Sequence, residues 1–526
     1  MPQGIVSALS LFSFAGNPGV NELGAFRNAP QRLAIWTPQA VDRTVGGLRN
    51  SARPWRTASD VAIRAASLFI LGIETMERQE FRAAGSLAAV FSVRLLGLFM
   101  IYPVFAAYAS NLSGANPYLI GEALGIYGLS QGLLQIPFGL LSDRVGRKVM
   151  IVIGLILFGI GSAVAAVSTS ISGVIIGRAL QGSGAIGSVI LALVADLTTE
   201  ENRTKAMALV GITIGASFMV ALVAGPVIAD FVGVSGIFWL MVGLALVGIA
   251  ITEFVVPNPG RVRVHRDAEA VPALIGSVLR NKELLRLDFG VFALHAMLTA
   301  NFLVVPGLMR GTLGVPVHDQ WIVYLLVLLV SVAVMVPAII IAEKYRRMKG
   351  VFVSSVAALV VSSIMLYLGA GNLFVLLAAL VVFFSAFNVM EASLPSLITK
   401  AAPPDTKGTA MGLYSSAQFL GIFVGGVVGG WAHQHGGNSA VFALTAAIAL
   451  LWLLAAATMA QPSYLTTRLV SIANGQAGDA ESLAAKLRQV PGVAEAVVIA
   501  EEQLAYLKVD SKHFDAAMAE SLANAP

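Results

Sequence analysis

Apolar runs long enough to cross a membrane dominate this chain. Each run holds about 20 residues, which as a helix span a hydrocarbon core of roughly 30 Å. Hydrophobic residues make up 57% of the 526 residues and charged residues 12%, whereas a soluble domain is about one quarter charged. Because main-chain polar groups in lipid must bond to one another, we expect an all-α polytopic membrane protein. The candidate spans are 87–110, 117–141, 149–168, 171–197, 205–231, 236–256, 287–309, 320–342, 350–369, 373–399, 408–432 and 438–460.

Basic residues are concentrated in alternate connections between these twelve spans. In the other set of connections Arg310 is the sole basic residue. The positive-inside rule places the basic connections in the cytoplasm, and an even number of spans then places both termini there. The basic connections contain Arg144, Arg147, Lys148, Arg203, Lys205, Arg261, Arg263, Arg266, Arg280, Lys282, Arg286, Lys344, Arg346, Arg347, Lys349, Lys400 and Lys407.

The first part of the bundle is repeated in the second. LLSDRVGRK at 140–148 has a weaker echo in IAEKYRRMK at 341–349, and TKAMALVG at 204–211 is echoed by TKGTAMGLY at 406–414. Two loops repeated at nearly the same offset indicate two six-helix halves. A binding site between such halves, near the membrane midplane, is a common plan for transporters.

Five segments follow from these patterns. The bundle divides into an N-terminal half at 76–256, a cytoplasmic linker at 257–286 and a C-terminal half at 287–460. Residues 1–75 carry seven arginines and lack a spanning run, which indicates a disordered extension, a membrane-surface arm or a start site placed too early. Residues 464–526, which we call the tail, have the order β-α-β-β-α of a small ferredoxin-like α+β domain. The tail holds eight acidic and five basic residues.

The connection at 139–148, GLLSDRVGRK, has the spacing G-x-x-x-D-R-x-G-R-K between two spans. IIGRALQGSGA at 175–185 accompanies it in the fourth span. Together these stretches resemble the major facilitator superfamily. The resemblance implies a fold of twelve helices in two six-helix halves, and a secondary transporter that works by alternating access.

A third stretch, ALVAGPVIAD at 221–230, narrows the resemblance to drug–proton antiporters of that superfamily. Gly225 and Pro226 match the fifth-helix motif G-x-x-x-G-P of those antiporters. The chain departs from the motif at Ala221, Ala229 and Asp230, which stand where glycines are usual.

The resemblance implies that the first motif is a conformational switch made of Gly139, Asp143, Arg144, Gly146, Arg147 and Lys148, together with Asp196. Gly139 removes a side chain where the second span meets a neighbour, which we expect to be the eleventh span. Asp143 then faces the positive N-terminal end of that helix, and Arg147 pairs with Asp196. These contacts would latch the outward-facing state, in which the cytoplasmic side is shut. The alternative is a plain positive-inside loop.

Ionisable residues inside the predicted spans are costly and point to function, and four of them are candidates for proton coupling. Arg178 either supplies a fixed positive charge near a proton-carrying acid or bonds neighbouring helices. Glu391 either carries protons, since a desolvated carboxyl readily holds one, or is a capped structural carboxyl. His295 titrates near neutral pH or is a buried, hydrogen-bonded histidine. Arg94 either takes part in proton coupling or extends to the cytoplasmic interface.

Aromatic and amide residues are the candidates for lining a substrate cavity. This mix suits an amphiphilic or hydrophobic ligand better than a sugar, which needs more paired amides and acids. The candidates are Tyr102, Tyr127, Gln131, Gln135, Asn301, Asn388 and Gln418.

The function expected from these features is proton-coupled export of small amphiphilic compounds across a bacterial inner membrane. We expect no cofactor, metal site, nucleic-acid partner or enzymatic activity, since the chain carries no phosphate-binding loop, metal-ligand cluster or nucleophile motif and has no cysteine. The partners are a small-molecule substrate, protons and the lipid bilayer, and the tail is expected to dock on cytoplasmic loops. The alternatives are a nutrient symporter or uniporter, and a transporter-derived sensor with a regulatory tail.

Overall fold

The computed structural model describes residues 77–258, 270–461, 465–472, 480–499, 503–510 and 513–524. The expectations for residues 1–75 lie outside these residues, as do those for most of the linker, 259–269.

Within the described residues, ten helices are long and apolar enough to cross a membrane. Two of them are each broken once by a glycine with a left-handed backbone, Gly233 (φ 70°) and Gly437 (φ 62°). The ten helices therefore supply twelve segments, and the expected all-α polytopic class is confirmed. We number the segments spans 1 to 12 in chain order.

The bounds of the spans are as follows. In the N-terminal half, span 1 is Arg78–Met100, span 2 is Pro117–Val145, span 3 is Arg147–Val167, span 4 is the pair Ile171–Ser183 and Gly187–Asp196, and spans 5 and 6 share the helix Glu200–Phe254. In the C-terminal half, span 7 is Lys282–Gly311, span 8 is Gln320–Lys344, span 9 is Met348–Gly369, span 10 is Leu373–Ala401, and spans 11 and 12 share the helix Lys407–Ala457. Short helices lie at Phe105–Ala109 and Ile275–Arg280, and 3-10 turns at Pro272–Leu274, Val317–Asp319 and Pro404–Thr406.

Two spans begin earlier than their apolar runs, because polar residues at their starts find partners. Glu80 in span 1 is buried and accepts hydrogen bonds from the Thr199 amide and from Asn202 Nδ2, both at 2.6 Å. Span 7 starts at Lys282, where Asn281 Oδ1 accepts from the Glu283 amide at 3.0 Å as a helix cap. Hydropathy does not register such bonds, so it places both starts too late.

Glycine faces let spans from opposite halves approach closely. In span 2 a Cβ on Gly125 would lie 2.7 Å from the Phe423 carbonyl oxygen in span 11, and one on Gly121 would overlap the carbonyl of Gly426. Gly425, one position earlier in span 11, packs in the same way against Ala296 in span 7. Such small-residue contacts are how helices associate in lipid, where apolar burial gives little driving force.

The tail folds as a sheet covered by two helices. Its elements are β1 Thr466–Ser471, α1 Ala480–Leu487, β2 Val493–Ile499, β3 Leu504–Val509 and α2 Ala516–Ala523. The strand order is β1-β3-β2, with β3 antiparallel to both neighbours. This is a split β-α-β arrangement, which confirms the expected ferredoxin-like class.

The end of β3 lies against the membrane bundle. Lys508 Nζ donates to the Lys400 carbonyl oxygen near the end of span 10 at 2.9 Å, and Asp510 Oδ1 lies 3.8 Å from Arg346 Nη2 after span 8. Burial lowers the pKa of Lys508 below the usual lysine value; Lys407 acts in the same direction and Glu495 opposes it.

Candidate functional site

Three of the predicted residues meet in the C-terminal half, although they come from different spans. Gln418 Nε2 in span 11 lies 2.8 Å from His295 Nε2 in span 7 and 3.4 Å from Glu391 Oε1 in span 10. His295 Nε2 is 3.7 Å from Glu391 Oε2. We call Glu391, His295 and Gln418 the polar triad. A carboxyl and an imidazole at this separation do not form a hydrogen bond, but they can exchange a proton through one water.

Hydrogen-bond directions fix the tautomer of His295. Its Nδ1 lies 3.1 Å from the carbonyl oxygen of Val291, one helical turn earlier. Because a carbonyl only accepts, Nδ1 carries the hydrogen, and Nε2 of the neutral ring accepts from the Gln418 amide. A proton added to Nε2 would make that atom a donor facing Glu391. Gln418 would then have to turn its amide to keep a hydrogen bond to the ring.

Glu391 is partly open, yet one of its oxygens is unsatisfied. Its side chain is 31% exposed, whereas Oε2 is buried without a hydrogen-bond partner among the described residues. One turn earlier, Asn388 Nδ2 donates to Ser331 Oγ at 2.8 Å and joins span 10 to span 8. A buried carboxylate oxygen without a donor is costly, so Glu391 Oε2 lacks a hydrogen-bond donor that a ligand or a rearranged side chain would have to supply.

Arg94, Gln131 and Gln135 form a second buried polar cluster, in the N-terminal half. The Arg94 side chain is 1% exposed and donates to Gln131 Oε1 in span 2. Gln131 Nε2 donates to Gln135 Oε1 at 3.1 Å. The alternative that Arg94 extends to the membrane interface is therefore wrong, because an amide partner inside the bundle holds the guanidinium.

Arg178 is fully buried, and its partners are neutral groups. Its Nε donates to the Ala123 carbonyl at 3.3 Å, and Nη1 donates to Gln181 Oε1 at 3.0 Å. The guanidinium carbons of Arg178 and Arg94 lie 5.0 and 5.8 Å from the centre of the Tyr127 ring. No carboxylate of the described residues pairs with Arg178. The geometry therefore corresponds to helix-to-helix bonding and cation–π contact rather than to a charge beside an acid.

Aromatic rings from both halves meet beside the polar triad. The Phe218 ring in span 5 lies 4.9 Å from that of Phe99 in span 1 and 5.6 Å from that of Phe387 in span 10. The Phe387 ring is 5.7 Å from the imidazole of His295. These phenylalanines form an apolar wall shared by the two halves, next to the triad.

Two further cavity candidates lie deep in the packing between the halves. Tyr102 Oη is 3.4 Å from Thr299 Oγ1, which links span 1 to span 7. Asn301 is 5% exposed, and its two side-chain polar atoms have no partner among the described residues. A buried amide without partners needs an explanation, and a bound ligand or water would supply one.

Arg147 gathers the contacts of the 139–148 motif. Its Nε donates to Asp196 Oδ2 at 3.1 Å, its Nη1 donates to Ser142 Oγ at 2.7 Å, and it pairs with Asp143. Gly146, which separates span 2 from span 3, has a φ of 108°, a region that favours glycine. The motif thus ties spans 2, 3 and 4 of the N-terminal half together.

Lys148 has a capping role that the sequence analysis did not assign. Its Nζ donates to the carbonyl oxygens of Glu253 and Val256, at 3.3 and 3.2 Å, and to Asn258 Oδ1 at 3.1 Å. These groups lie at the end of span 6, where a helix leaves carbonyls unpaired and its dipole favours a cation. Arg144, by contrast, is exposed.

Gly139 contacts a different helix from the one expected. A Cβ here would lie 3.2 Å from Ser188 Oγ in span 4, not against span 11. The expectation is wrong because span 2 meets span 11 earlier along its length, around Gly125. Near Gly139 the two helices leave a cavity of about 40 Å³, lined by Asp143 and by Gly408 at the start of span 11. That volume admits a water molecule.

Gly225 and Pro226 lie where span 5 touches span 1. A Cβ on Gly225 would overlap the carbonyl oxygen of Met100, and Pro226 is buried beside it. Only a glycine permits this approach, so the motif fixes the packing of two helices within the N-terminal half.

Asp288 and Tyr414 are two polar residues of the site region that the sequence analysis missed. Asp288 was overlooked because it is the second residue of the predicted span 287–309, at its cytoplasmic edge, whereas the helix starts six residues earlier, at Lys282. Its spacing of seven residues from His295 places both on one helix face and could have revealed it. Tyr414 stands one turn before Gln418, but a single tyrosine does not by itself indicate a functional site.

No group of three metal-binding side chains occurs in the described part of the chain.

Comparison with known proteins identifies both parts of the molecule. The family described as Major Facilitator Superfamily matches residues 87–305 and 287–468, and the YajR YAM domain matches 473–523. The chain is 46% identical to the inner membrane transport protein YajR of Escherichia coli, over 82% of this chain and 95% of that protein. It is 24% identical to the multidrug resistance protein MdtH of Aeromonas salmonicida, over 65% of this chain and 85% of that protein.

A solved structure supports the fold. The bacterial homolog of the human lysosomal transporter Spinster matches with a TM-score of 0.57 at 14% identity, over 72% of this chain and 96% of that one. The relative from Escherichia coli is named as an inner membrane transport protein, not as an enzyme. This chain is therefore a multi-pass membrane transporter for small molecules, and it belongs to the major facilitator superfamily.

Proposed function

We propose that this transporter couples proton movement to the export of small amphiphilic compounds from a bacterial cell. The observation that carries the proposal is the polar triad, in which a carboxylate oxygen without a partner lies beside a histidine of fixed tautomer. The names of two relatives support export across an inner membrane. One is an inner membrane transport protein, and the other is a multidrug resistance protein. The charge of the connections supports cytoplasmic termini.

Competition for Glu391 provides the coupling. A cationic amphiphile is attracted to the ionised carboxylate, and a proton bound there removes that attraction. One site then holds either a proton or a substrate as the halves alternate, so the two move in opposite directions. His295 Nε2, 3.7 Å from Glu391, can store the proton while substrate leaves.

The surroundings of the triad favour an apolar, ring-bearing substrate. Phe99, Phe218 and Phe387 present ring faces from both halves, and aromatic surfaces bind planar apolar groups and cations. A sugar would leave its many hydroxyls unpaired against such a wall.

The 139–148 motif acts as the cytoplasmic latch of this cycle. Asp143 and Gly408, from opposite halves, line one small cavity where span 11 begins. The positive end of that helix attracts the carboxylate and holds the halves together, with Arg147 and Asp196 keeping Asp143 in position. Opening the cytoplasmic side separates Asp143 from span 11.

The tail docks on the C-terminal half and regulates it. Lys508 supplies a cation to the end of span 10, where the helix dipole is negative, and Asp510 faces Arg346. The acidic composition of the tail suits the basic connections of the bundle.

Two other functions predict different outcomes. A nutrient symporter or uniporter would move substrate with protons or without them, and the departures from the fifth-helix antiporter motif keep that function open as an alternative. A sensor would bind ligand without transport, although a latch motif has no use in a bundle that does not move.

Proton flux in proteoliposomes tests the proposal. Purified protein is reconstituted with an internal pH dye, and lipophilic cations, dyes and sugars are added in turn. We expect a lipophilic cation to drive protons in the direction opposite to its own, and Glu391→Gln to lose this coupling and to bind the cation more weakly, because the neutral amide removes the attraction as a bound proton does. Glu122→Gln, a carboxyl in span 2 outside the triad, is the matched control.

Three results would contradict the proposal. Unchanged coupling in Glu391→Gln would remove this residue as the proton carrier. Protons moving in the same direction as a nutrient would indicate a symporter. Ligand binding without flux, in protein shown to be folded, would favour the sensor.

A further inference from the structure

Asp288 is a buried carboxyl that the proposed cycle does not yet use. It lies in span 7 and is 9% exposed, and its Oδ1 has no hydrogen-bond partner among the described residues. An unpaired carboxyl inside a membrane bundle is expensive and is rare without a function. Its neighbours on the same helix do not satisfy it, because Glu283 and Arg286 pair with each other and are about one third exposed.

The position of Asp288 relates it to the polar triad. Asp288 and His295 are seven residues apart, so they share one face of span 7 and are separated by about 10 Å along its axis. Asp288 is nearer the start of span 7, the end that charge patterning assigns to the cytoplasm. It therefore lies between the triad and the cytoplasmic surface.

Tyr414 lies on the cytoplasmic side of Gln418 in span 11, as Asp288 does of His295 in span 7. It lies one turn before Gln418 in span 11, it is 3% exposed, and its hydroxyl has no partner in the described residues. From span 12, the Trp452 indole packs on Gly290, 3.0 Å from the place of a Cβ, and its Nε1 is also without a described partner.

These groups share one property, which is unsatisfied hydrogen-bonding capacity in a buried region. Tyr414 is both a donor and an acceptor, so it can receive a proton on one lone pair while giving up its own. Trp452 can only donate. No cation of the described residues forms an ion pair with Asp288, so a proton is what would neutralise it.

We infer that Asp288 is a second proton-binding carboxyl of the transport cycle, which exchanges protons between the polar triad and the cytoplasm by way of Tyr414 and intervening water. In each transfer, Glu391 gives its proton toward Tyr414 while the Tyr414 hydroxyl proton passes to the Asp288 carboxylate, and Tyr414 ends neutral. The inference rests on the proposed function, because it assigns a route to the same proton.

Chemical labelling tests the inference without transport. Dicyclohexylcarbodiimide adds to protonated carboxyls in apolar sites and forms a stable acylurea, which peptide mass spectrometry locates. On the full-length protein in detergent, we expect label on the peptide that contains Asp288, less label as pH rises, and none at this position in Asp288→Asn. Glu283→Gln, five residues earlier and on an exposed pair, is the control and should leave the label unchanged. If Asp288 carries no label at every pH tested, the inference is overturned.

Proton flux supplies the second readout. We expect Asp288→Asn to slow substrate-driven proton movement about 100-fold, to keep substrate exchange without a pH gradient, and to recover in Asp288→Glu. Normal proton flux in a folded Asp288→Asn protein would overturn the inference while the role of Glu391 stands. If the wild-type protein moves no protons with any substrate, the proposed function fails, and the labelling result still reports whether Asp288 binds a proton.

Discussion

Arg147 pairs with two carboxylates, and their different burial gives them different effects on stability. The Arg147 and Asp196 side chains are both 0% exposed, whereas that of Asp143 is 25% exposed. Removing one member of a buried pair leaves the other charge uncompensated, while a partly exposed acid is replaced by water. Asp196 is therefore the structural partner of Arg147, and Asp143 is free to serve as the switch.

Asp196→Asn should lower the free energy of unfolding by about 1.5–3 kcal/mol, since it replaces the fully buried charged partner of Arg147 by a neutral amide. The measurement is denaturant unfolding of the purified protein in detergent. Glu343→Gln is the control, because Glu343 in span 8 is 42% exposed and pairs with Lys400 at 2.6 Å. That exposed pair should contribute at most about 1 kcal/mol.

Asp143→Asn should impair transport while changing stability little. We expect a loss of about 1 kcal/mol or less in stability, with transport abolished because the latch no longer closes on span 11. Transport at the wild-type rate in this variant would contradict the latch, whatever the stability of Asp196→Asn.

At the scale of elements, the contact of span 2 with span 11 decides how the halves meet. The glycines of span 2 at 121, 125, 128 and 132 recur on one helical face, and each lies against main chain or a Cβ of span 11. Because two backbones touch there, the interface has no flexible side chains that can adjust to an added methyl group.

Gly426→Ala in span 11 should therefore destabilise the bundle by about 1–3 kcal/mol through overpacking. Its Cβ would lie 2.9 Å from the Gly125 nitrogen and would overlap the Gly121 carbonyl. Gly215→Ala in span 5, where nothing lies within 4 Å of the added carbon, is the control and should be neutral or stabilising. Thermal unfolding in detergent measures both, and equal midpoints would show that the helices can move apart freely.

At the scale of the whole molecule, Lys508 and Asp510 both reach the C-terminal half. Lys508 is 4% exposed and bonds a carbonyl at the end of span 10, while Asp510 faces the end of span 8. A tail held in this way would move with the C-terminal half as one body during alternating access.

Lys508→Met should loosen the tail, because it removes a charged hydrogen bond worth about 1.5 kcal/mol. We expect amide hydrogen exchange in β3 and at residues 404–406 to become about tenfold faster. Lys486→Met, an exposed lysine on α1, is the control. Equal exchange in the two variants would mean that the contact of Lys508 with span 10 does not hold the tail.

Much of the molecule could be predicted from short-range patterns. Each apolar run specifies its own span, because a segment in lipid must satisfy its main chain internally. The residues of the 139–148 motif lie within ten positions, so their proximity needed no folded structure. The contact of Gly139 could not be predicted in this way. Its neighbour is Ser188 in span 4 because spans 2 and 11 have already separated at this point along their lengths.

The polar triad required the tertiary structure. His295 and Gln418 are 123 positions apart, and whether their side chains meet depends on the rotation of spans 7 and 11 about their axes. Neither hydropathy nor motif spacing encodes that rotation. The same holds for Arg178, whose neutral partners in span 2 no pattern indicated, and for Asp288, whose burial depends on how other spans pack around span 7. The sequence by itself thus determined the spans, the repeat, the residues of the 139–148 motif and the order of the tail, because these follow from local chain chemistry. Packing decided which buried polar groups share a site, because side-chain contacts between distant helices form only when the glycine faces set their distance and angle.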